Sequence, residues 1–107
     1  MLRIYPVVLE LAAVLKPSLA GLERHDPDLA RQFRRALASV ALNVGEGSGS
    51  RGKNRAARYH TALGSMREVF VCLEFAAAMG YVPAPEPAVR ARFDHIIGTL
   101  VRLVVVR

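Results

Sequence analysis

Residues 56–77 read AARYHTALGSMREVFVCLEFAA, and Ala56, Tyr59, Leu63, Met66, Phe70, Leu73 and Ala77 recur there at alternating spacings of three and four. That spacing is a single apolar seam down an α-helix, and a β-strand, whose period is two, cannot produce it. Gly80 stands where a left-handed C-cap belongs, so the helix is expected to end there. Gly64 and Ser65 fall in its middle, where glycine costs about 1 kcal/mol against alanine. Close approach of a neighbouring backbone is the expected compensation.

Upstream, Gly45 through Gly52 contains four glycines and two serines and reads as a flexible, exposed turn. Before it, Leu29, Phe33, Ala36, Leu37, Val40 and Val44 form a second helical stripe that should stop near Gly45 to Gly47. Its start is marked by Asp26 as N-cap, Pro27 as first helical residue and Asp28 near the positive end of the helix dipole. A first segment runs from about Leu2 to Leu22, with Leu9, Ala12, Lys16 and Leu19 on one side and Leu2, Tyr5, Leu15 and Leu22 flanking. Pro6 fits a first turn, whereas Pro17 should kink this helix or split it in two.

Downstream, Val82-Pro83-Ala84-Pro85-Glu86-Pro87 is a rigid connector. The last helix carries Val89, Phe93, Ile96, Leu100 and Leu103, and its end, Val101 to Val106, is apolar almost all round except for Arg102. Such an end needs burial on more than one side, which a subunit interface would supply. No segment alternates with period two between turn signals. The expected fold is a single domain, residues 1–107, all-α, an antiparallel up-down four-helix bundle.

A chain of 107 residues, 52% apolar and without tryptophan, can bury one mainly aliphatic core. Cys72 is the only cysteine, so no intramolecular disulfide or cysteine-based metal cluster can form, and its apolar setting predicts a buried structural thiol. His25, His60 and His95 have no metal-ligand spacing, and neither a metal nor a cofactor is expected. The N-terminus shows no secretory signal pattern, and the longest run without a charged residue, Phe75 to Pro85, is too short to span a bilayer. The expectation is a cytoplasmic protein with no membrane partner.

Charge is concentrated. Between Arg31 and Arg67 lie eight of the fifteen basic residues and one acid, Glu46, a net of +7 in a chain whose total is +6. A localised basic surface suits a polyanion, because neutralising phosphates releases condensed counterions.

The second helix reads Gln32-Phe33-Arg34-Arg35-Ala36, then Ser39, Asn43 and Glu46-Gly47; the third reads Ala62, Gly64-Ser65, Glu68, Leu73, Ala76 and Gly80-Tyr81. This series, over Leu29 to Tyr81, resembles the bacterial four-helix-bundle proteins of the 23S rRNA intervening-sequence type, a group that includes the accessory protein of diversity-generating retroelements, the Avd type. The resemblance implies a ring-shaped homopentamer with a basic surface able to bind nucleic acid, no enzymatic chemistry and, in the retroelement case, a reverse transcriptase as partner. Pro6, Pro17 and Gly45 depart from the family pattern.

Ser39, Asn43 and Glu46 make one polar strip on the second helix, and Arg51, Arg55 and Arg58 repeat that spacing on the third. If the helices run antiparallel, Glu46 meets Arg55 or Arg58 across the glycine turn, a structural clasp. Arg31, Arg34, Arg35 and Lys53 are the better phosphate contacts, joined by Arg51, Arg55 and Arg58 in one basic surface for RNA or DNA. Tyr59 sits on the seam, so aromatic stacking is scarce and the expected mode is backbone-directed and sequence-tolerant. Two other readings compete. Arg55-x4-His60 resembles the motif of HEPN ribonucleases, although the polar residue usual after the arginine is missing. A ring scaffold docking a protein such as a reverse transcriptase would use the same basic patch.

Overall fold

Asp26 divides the chain's first two helices from its longest pair. Its side chain accepts a hydrogen bond from the Leu29 amide at 3.0 Å, Pro27 follows as the first helical residue, and a helix then runs unbroken to Ser48. The computed structural model describes residues 3–105, among which there are five helices and no strand. They are α1 (Ile4–Val14), α2 (Lys16–His25), α3 (Pro27–Ser48), α4 (Gly52–Ala78) and α5 (Pro87–Val105).

The expected count of four is corrected to five because the first segment is broken. Pro17 lies in the first turn of α2, where its lack of an N–H leaves no intrahelical bond unmade, and α1 and α2 meet at Leu15 with a bend of 44°. The face assigned to that segment is also corrected. Ile4, Val8, Leu11, Leu15 and Leu22 are buried, whereas Leu9 is 45% exposed and Lys16 is exposed. The buried residues keep spacings of four, three, four and seven, so one stripe runs through the bend from α1 into α2, one residue out of phase with the stripe expected from Leu9, Ala12, Lys16 and Leu19. Leu2, assigned to the flank of this segment, and Val106, assigned to the end of the last helix, lie outside the described residues.

α3 and α4 form a helical hairpin. Ser39 meets Ser65 and Glu46 meets Arg58, two contacts that straddle the connecting loop symmetrically, so the helices run back along each other. The loop is shorter than the expected turn. Gly45 and Gly47 belong to α3, leaving only Gly49, Ser50 and Arg51 between the helices. On α4 the core face comprises Tyr59, Ala62, Leu63, Met66, Val69, Cys72, Leu73 and Ala76. It is wider than the expected seam and shifted from it, for Ala56 is exposed. The third-and-fourth spacing was right about the helix, but burial against α3 on one side and α5 on the other recruits Ala62, Val69, Cys72 and Ala76 as well.

Gly80 takes φ +77°, and the amides of Gly80 and Tyr81 donate to the carbonyls of Ala77 and Ala76, a Schellman C-cap that stops α4. Tyr81 then stacks on His25 at 5.2 Å between ring centroids, tying the end of α2 to this corner. α5 contributes Phe93, Ile96 and Leu100 to the core, with Phe93 edge-on to Phe70 at 5.2 Å. Phe33, Val40 and Val44 from α3 complete it. Among the described residues no charged or polar side chain is buried in this core. No single helix among them is long and apolar enough to cross a membrane, although α1 and α2 taken together pass that test by length and composition.

Candidate nucleic-acid interface

The two turns of basic residues that are close in sequence are separated in the fold. Arg31, Arg34 and Arg35 lie on the first turns of α3; Arg51, Lys53, Arg55 and Arg58 lie at the start of α4. Because the hairpin is antiparallel, these starts are at opposite ends of it, about 20 Å apart at 1.5 Å per helical residue. All of these bases are exposed except Arg58, which is half-buried. The sequence window therefore folds into two basic clusters, not one.

Within them the cations differ in availability. Arg31 pairs with Asp28, one turn back on its own helix, and Arg34 pairs with Glu23 of α2 at 3.4 Å. Arg58 pairs with Glu46 at 2.6 Å. Arg55 Nε donates to the Ser50 carbonyl at 2.8 Å, folding back over the loop. Among the described residues, Arg35, Arg51 and Lys53 have no carboxylate within 4.0 Å.

Ser39, Asn43 and Glu46 line the groove where α3 meets α4. Asn43 Nδ2 donates to the Ser39 carbonyl at 2.9 Å and to Ser39 Oγ at 3.1 Å, and Ser65 Oγ is hydrogen-bonded to Ser39 Oγ at 2.8 Å. Glu46 closes one end of the strip through Arg58, leaving Arg55 to the loop. At the other end the groove widens into a polar cleft of about 390 Å³, lined by Gln32, Arg35, Ala36, Ser39, Ser65 and Glu68. Gln32, Ser65 and Glu68 were given no role by the sequence reading. The signal was present, for Gln32, Arg35 and Ser39 repeat at i, i+3 and i+7, as polar residues on one helix face do, and Ser65 and Glu68 answer them at i and i+3.

Two ionisable side chains on α4 are perturbed. Burial pushes the Tyr59 hydroxyl above its ordinary value, partly offset by the Arg55 guanidinium. Burial, with a smaller contribution from the Glu68 carboxylate, pushes the Cys72 thiol up and so away from the reactive thiolate. Among the described residues no group of three or more histidine, cysteine or acidic side chains could hold a metal ion.

A further surface was not foreseen. Val71, Phe75 and Met79 follow one another at i, i+4 and i+8 on the outer face of α4 and are 60%, 48% and 52% exposed. Three large apolar side chains on one exposed helix stripe are a contact surface by composition.

Among curated proteins none matches the chain. The crystal structure of a protein of unknown function from the S23 ribosomal protein family of Bacteroides thetaiotaomicron, at 1.70 Å resolution, is similar in fold. The TM-score is 0.80 at 15% identity, over 96% of this chain and 99% of that one. The pattern of the 23S rRNA-intervening sequence proteins matches residues 7–100, and the chain belongs to that family.

Proposed function

We propose that this chain is a non-catalytic protein of the cytoplasm that assembles into a homopentamer and binds RNA or DNA through its basic residues. Counting α1 and α2 as one bent rod, each subunit is an antiparallel up-down four-helix bundle. The observation that carries the binding is the set of unpaired, exposed cations Arg35, Arg51 and Lys53 in a stretch with a net charge of +7. A guanidinium or ammonium without an internal acid is free to replace counterions on a phosphate backbone. Placing the two basic clusters at opposite ends of the hairpin suits an extended polyanion lying along it, and repetition around a ring would add weak contacts through multivalency. The apolar stripe of Val71, Phe75 and Met79 supports assembly.

The non-catalytic reading is supported by Arg55, whose guanidinium is committed to the Ser50 carbonyl and so turned away from the substrate role the motif would give it. Any RNA cleavage that depends on His60, and is lost in His60→Ala, would restore the ribonuclease reading.

Fluorescence anisotropy of labelled RNA and DNA oligonucleotides against salt concentration tests the binding. Affinity should fall steeply with salt, and a variant with Arg35, Arg51 and Lys53 all changed to alanine should lose about 2–2.7 from the salt slope, near 0.7–0.9 per phosphate contact. Absence of binding at low salt would end this reading and leave the basic surface to a protein partner, such as the reverse transcriptase of the retroelement-type relatives.

A further inference from the structure

The cleft between α3 and α4 has a chemistry that simple phosphate attraction does not explain. Arg35 and Glu68 line the same cleft from opposite helices, level with each other in an antiparallel hairpin whose Ser39 and Ser65 touch one turn away. Despite that, they form no ion pair within 4.0 Å, and neither has a hydrogen-bond or ion-pair partner elsewhere among the described residues. Between them lies the open volume of about 390 Å³. Its floor carries a spare donor. Ser39 and Ser65 share one hydrogen bond, and Ser39 Oγ also accepts from Asn43, so one of the two hydroxyl protons is left over. The cleft therefore presents donors on the α3 side, from Arg35 and Gln32, a hydroxyl proton at its floor, and a carboxylate acceptor on the α4 side.

A bare phosphodiester matches only half of that set. Its oxygens would satisfy Arg35 and the hydroxyl, but it would face the Glu68 carboxylate with like charge. A ligand that fits must place a hydroxyl donor within a few ångströms of an anionic acceptor. Ribonucleotides do so at every residue, because the 2′-hydroxyl adjoins the 3′-phosphate, whereas deoxyribonucleotides lack that donor. A carboxylate receiving a ribose hydroxyl beside a phosphate-binding element is also the arrangement that dinucleotide-binding folds use.

Building on the nucleic-acid reading above, we propose that the Arg35–Glu68 cleft selects RNA over DNA. Arg35 and the Ser39–Ser65 floor hold a phosphate, and Glu68 accepts a hydrogen bond from the neighbouring 2′-hydroxyl. The carboxylate thus works both ways. It rewards the ribose hydroxyl and repels a backbone that has none.

The test uses the full chain and three single-stranded probes of one sequence: RNA, DNA with deoxyuridine for uridine, and 2′-O-methyl RNA, which keeps the oxygen but loses its proton. RNA should bind about tenfold tighter than either of the others, the ratio that one charge-assisted hydrogen bond in a partly solvated cleft supplies. Glu68→Ala should move the ligands in opposite directions, weakening RNA and strengthening DNA. Glu68 is exposed, so the variant keeps the core intact, and circular dichroism checks it. Equal affinity for the three probes in the wild type overturns the selectivity, as does a rise of both RNA and DNA affinity in Glu68→Ala, which would reveal Glu68 as mere background charge. Either result leaves binding by the basic residues standing. Failure of all three probes to bind overturns both this proposal and the reading on which it rests.

Discussion

Gly47 of α3 lies against the ring of Tyr59 on α4, so closely that a Cβ there would come within 2.5 Å of Tyr59 Cε1 and 2.9 Å of Cδ1. Tyr59 is 3% exposed, and its ring is held in the core with no open side to move into. Gly47→Ala gains about 1 kcal/mol of helix propensity but must displace a packed aromatic ring, which costs about 1–3 kcal/mol and more where backbone shifts. The variant should be destabilised by about 1–2 kcal/mol in urea denaturation. A gain in stability would show that Tyr59 repacks freely.

Gly64 gives the opposite sign. It lies mid-way along α4 in ordinary helical backbone, with nothing within 4 Å of where its Cβ would be. Gly64→Ala should stabilise the protein by about 0.5–1 kcal/mol through propensity and a less flexible unfolded chain. A loss in the isolated subunit would contradict this packing. A loss seen only in the assembled protein would place a neighbouring subunit against Gly64.

These glycines show where sequence patterns were and were not enough. Periodicity located α3, α4 and α5 because each buries one stripe, and Asp26-Pro27 marked a boundary through local chemistry that needs no tertiary partner. Gly47 and Gly64 look alike in sequence, yet one is pressed on by Tyr59 and the other is open, since that difference belongs to the neighbouring helix. The basic window misled for a similar reason. Arg35 and Arg51 are close along the chain but are carried to opposite ends of a hairpin, while Arg35 and Glu68, far apart in sequence, share a cleft. The α1 face was misassigned because Val8 and Leu9, and Leu11 and Ala12, are apolar neighbours, so two adjacent stripes fit the helical period and only packing against the other helices selects one.

The raised Tyr59 pKa predicts alkaline sensitivity. The folded protein holds this proton to higher pH than the unfolded chain, whose tyrosine titrates near the ordinary 10.0. Stability from this group is therefore complete below pH 10 and is lost as pH rises through the folded-state value. Urea midpoints measured from pH 8 to 11 should fall more steeply in the wild type than in Tyr59→Phe, which has no proton to lose there. Parallel profiles would show that the Tyr59 hydroxyl reaches water in both states.

Along the α3–α4 groove the two cross-helix contacts should respond differently to salt. Glu46 and Arg58 have side chains 56% and 41% exposed, so Arg58→Ala should cost less than about 1 kcal/mol, and the cost should shrink further in molar salt. The Ser39–Ser65 hydrogen bond is part-buried and uncharged, and Ser65→Ala should cost about 1 kcal/mol whatever the salt concentration. Denaturant titrations at low and high salt separate the two. Equal salt dependence would mean that the serines do not meet in solution.

Phe75 is the central residue of the exposed α4 stripe, 48% exposed between Val71 and Met79, and it is not part of the subunit core. Covering three such side chains releases apolar surface at about 25 cal/mol per Å², a driving force available only to an assembly. Phe75→Arg places a charge in the middle of that surface while leaving the core face of α4 untouched, since Leu73 and Ala76 carry the neighbouring core contacts. If the stripe is the subunit interface, the variant should keep its helical circular dichroism and its native mass should drop from about five times the 11.7 kDa chain toward one. Retention of the oligomer in Phe75→Arg would move the interface elsewhere. A wild-type mass of one chain at micromolar concentration would remove the pentamer altogether and leave the stripe to a different protein.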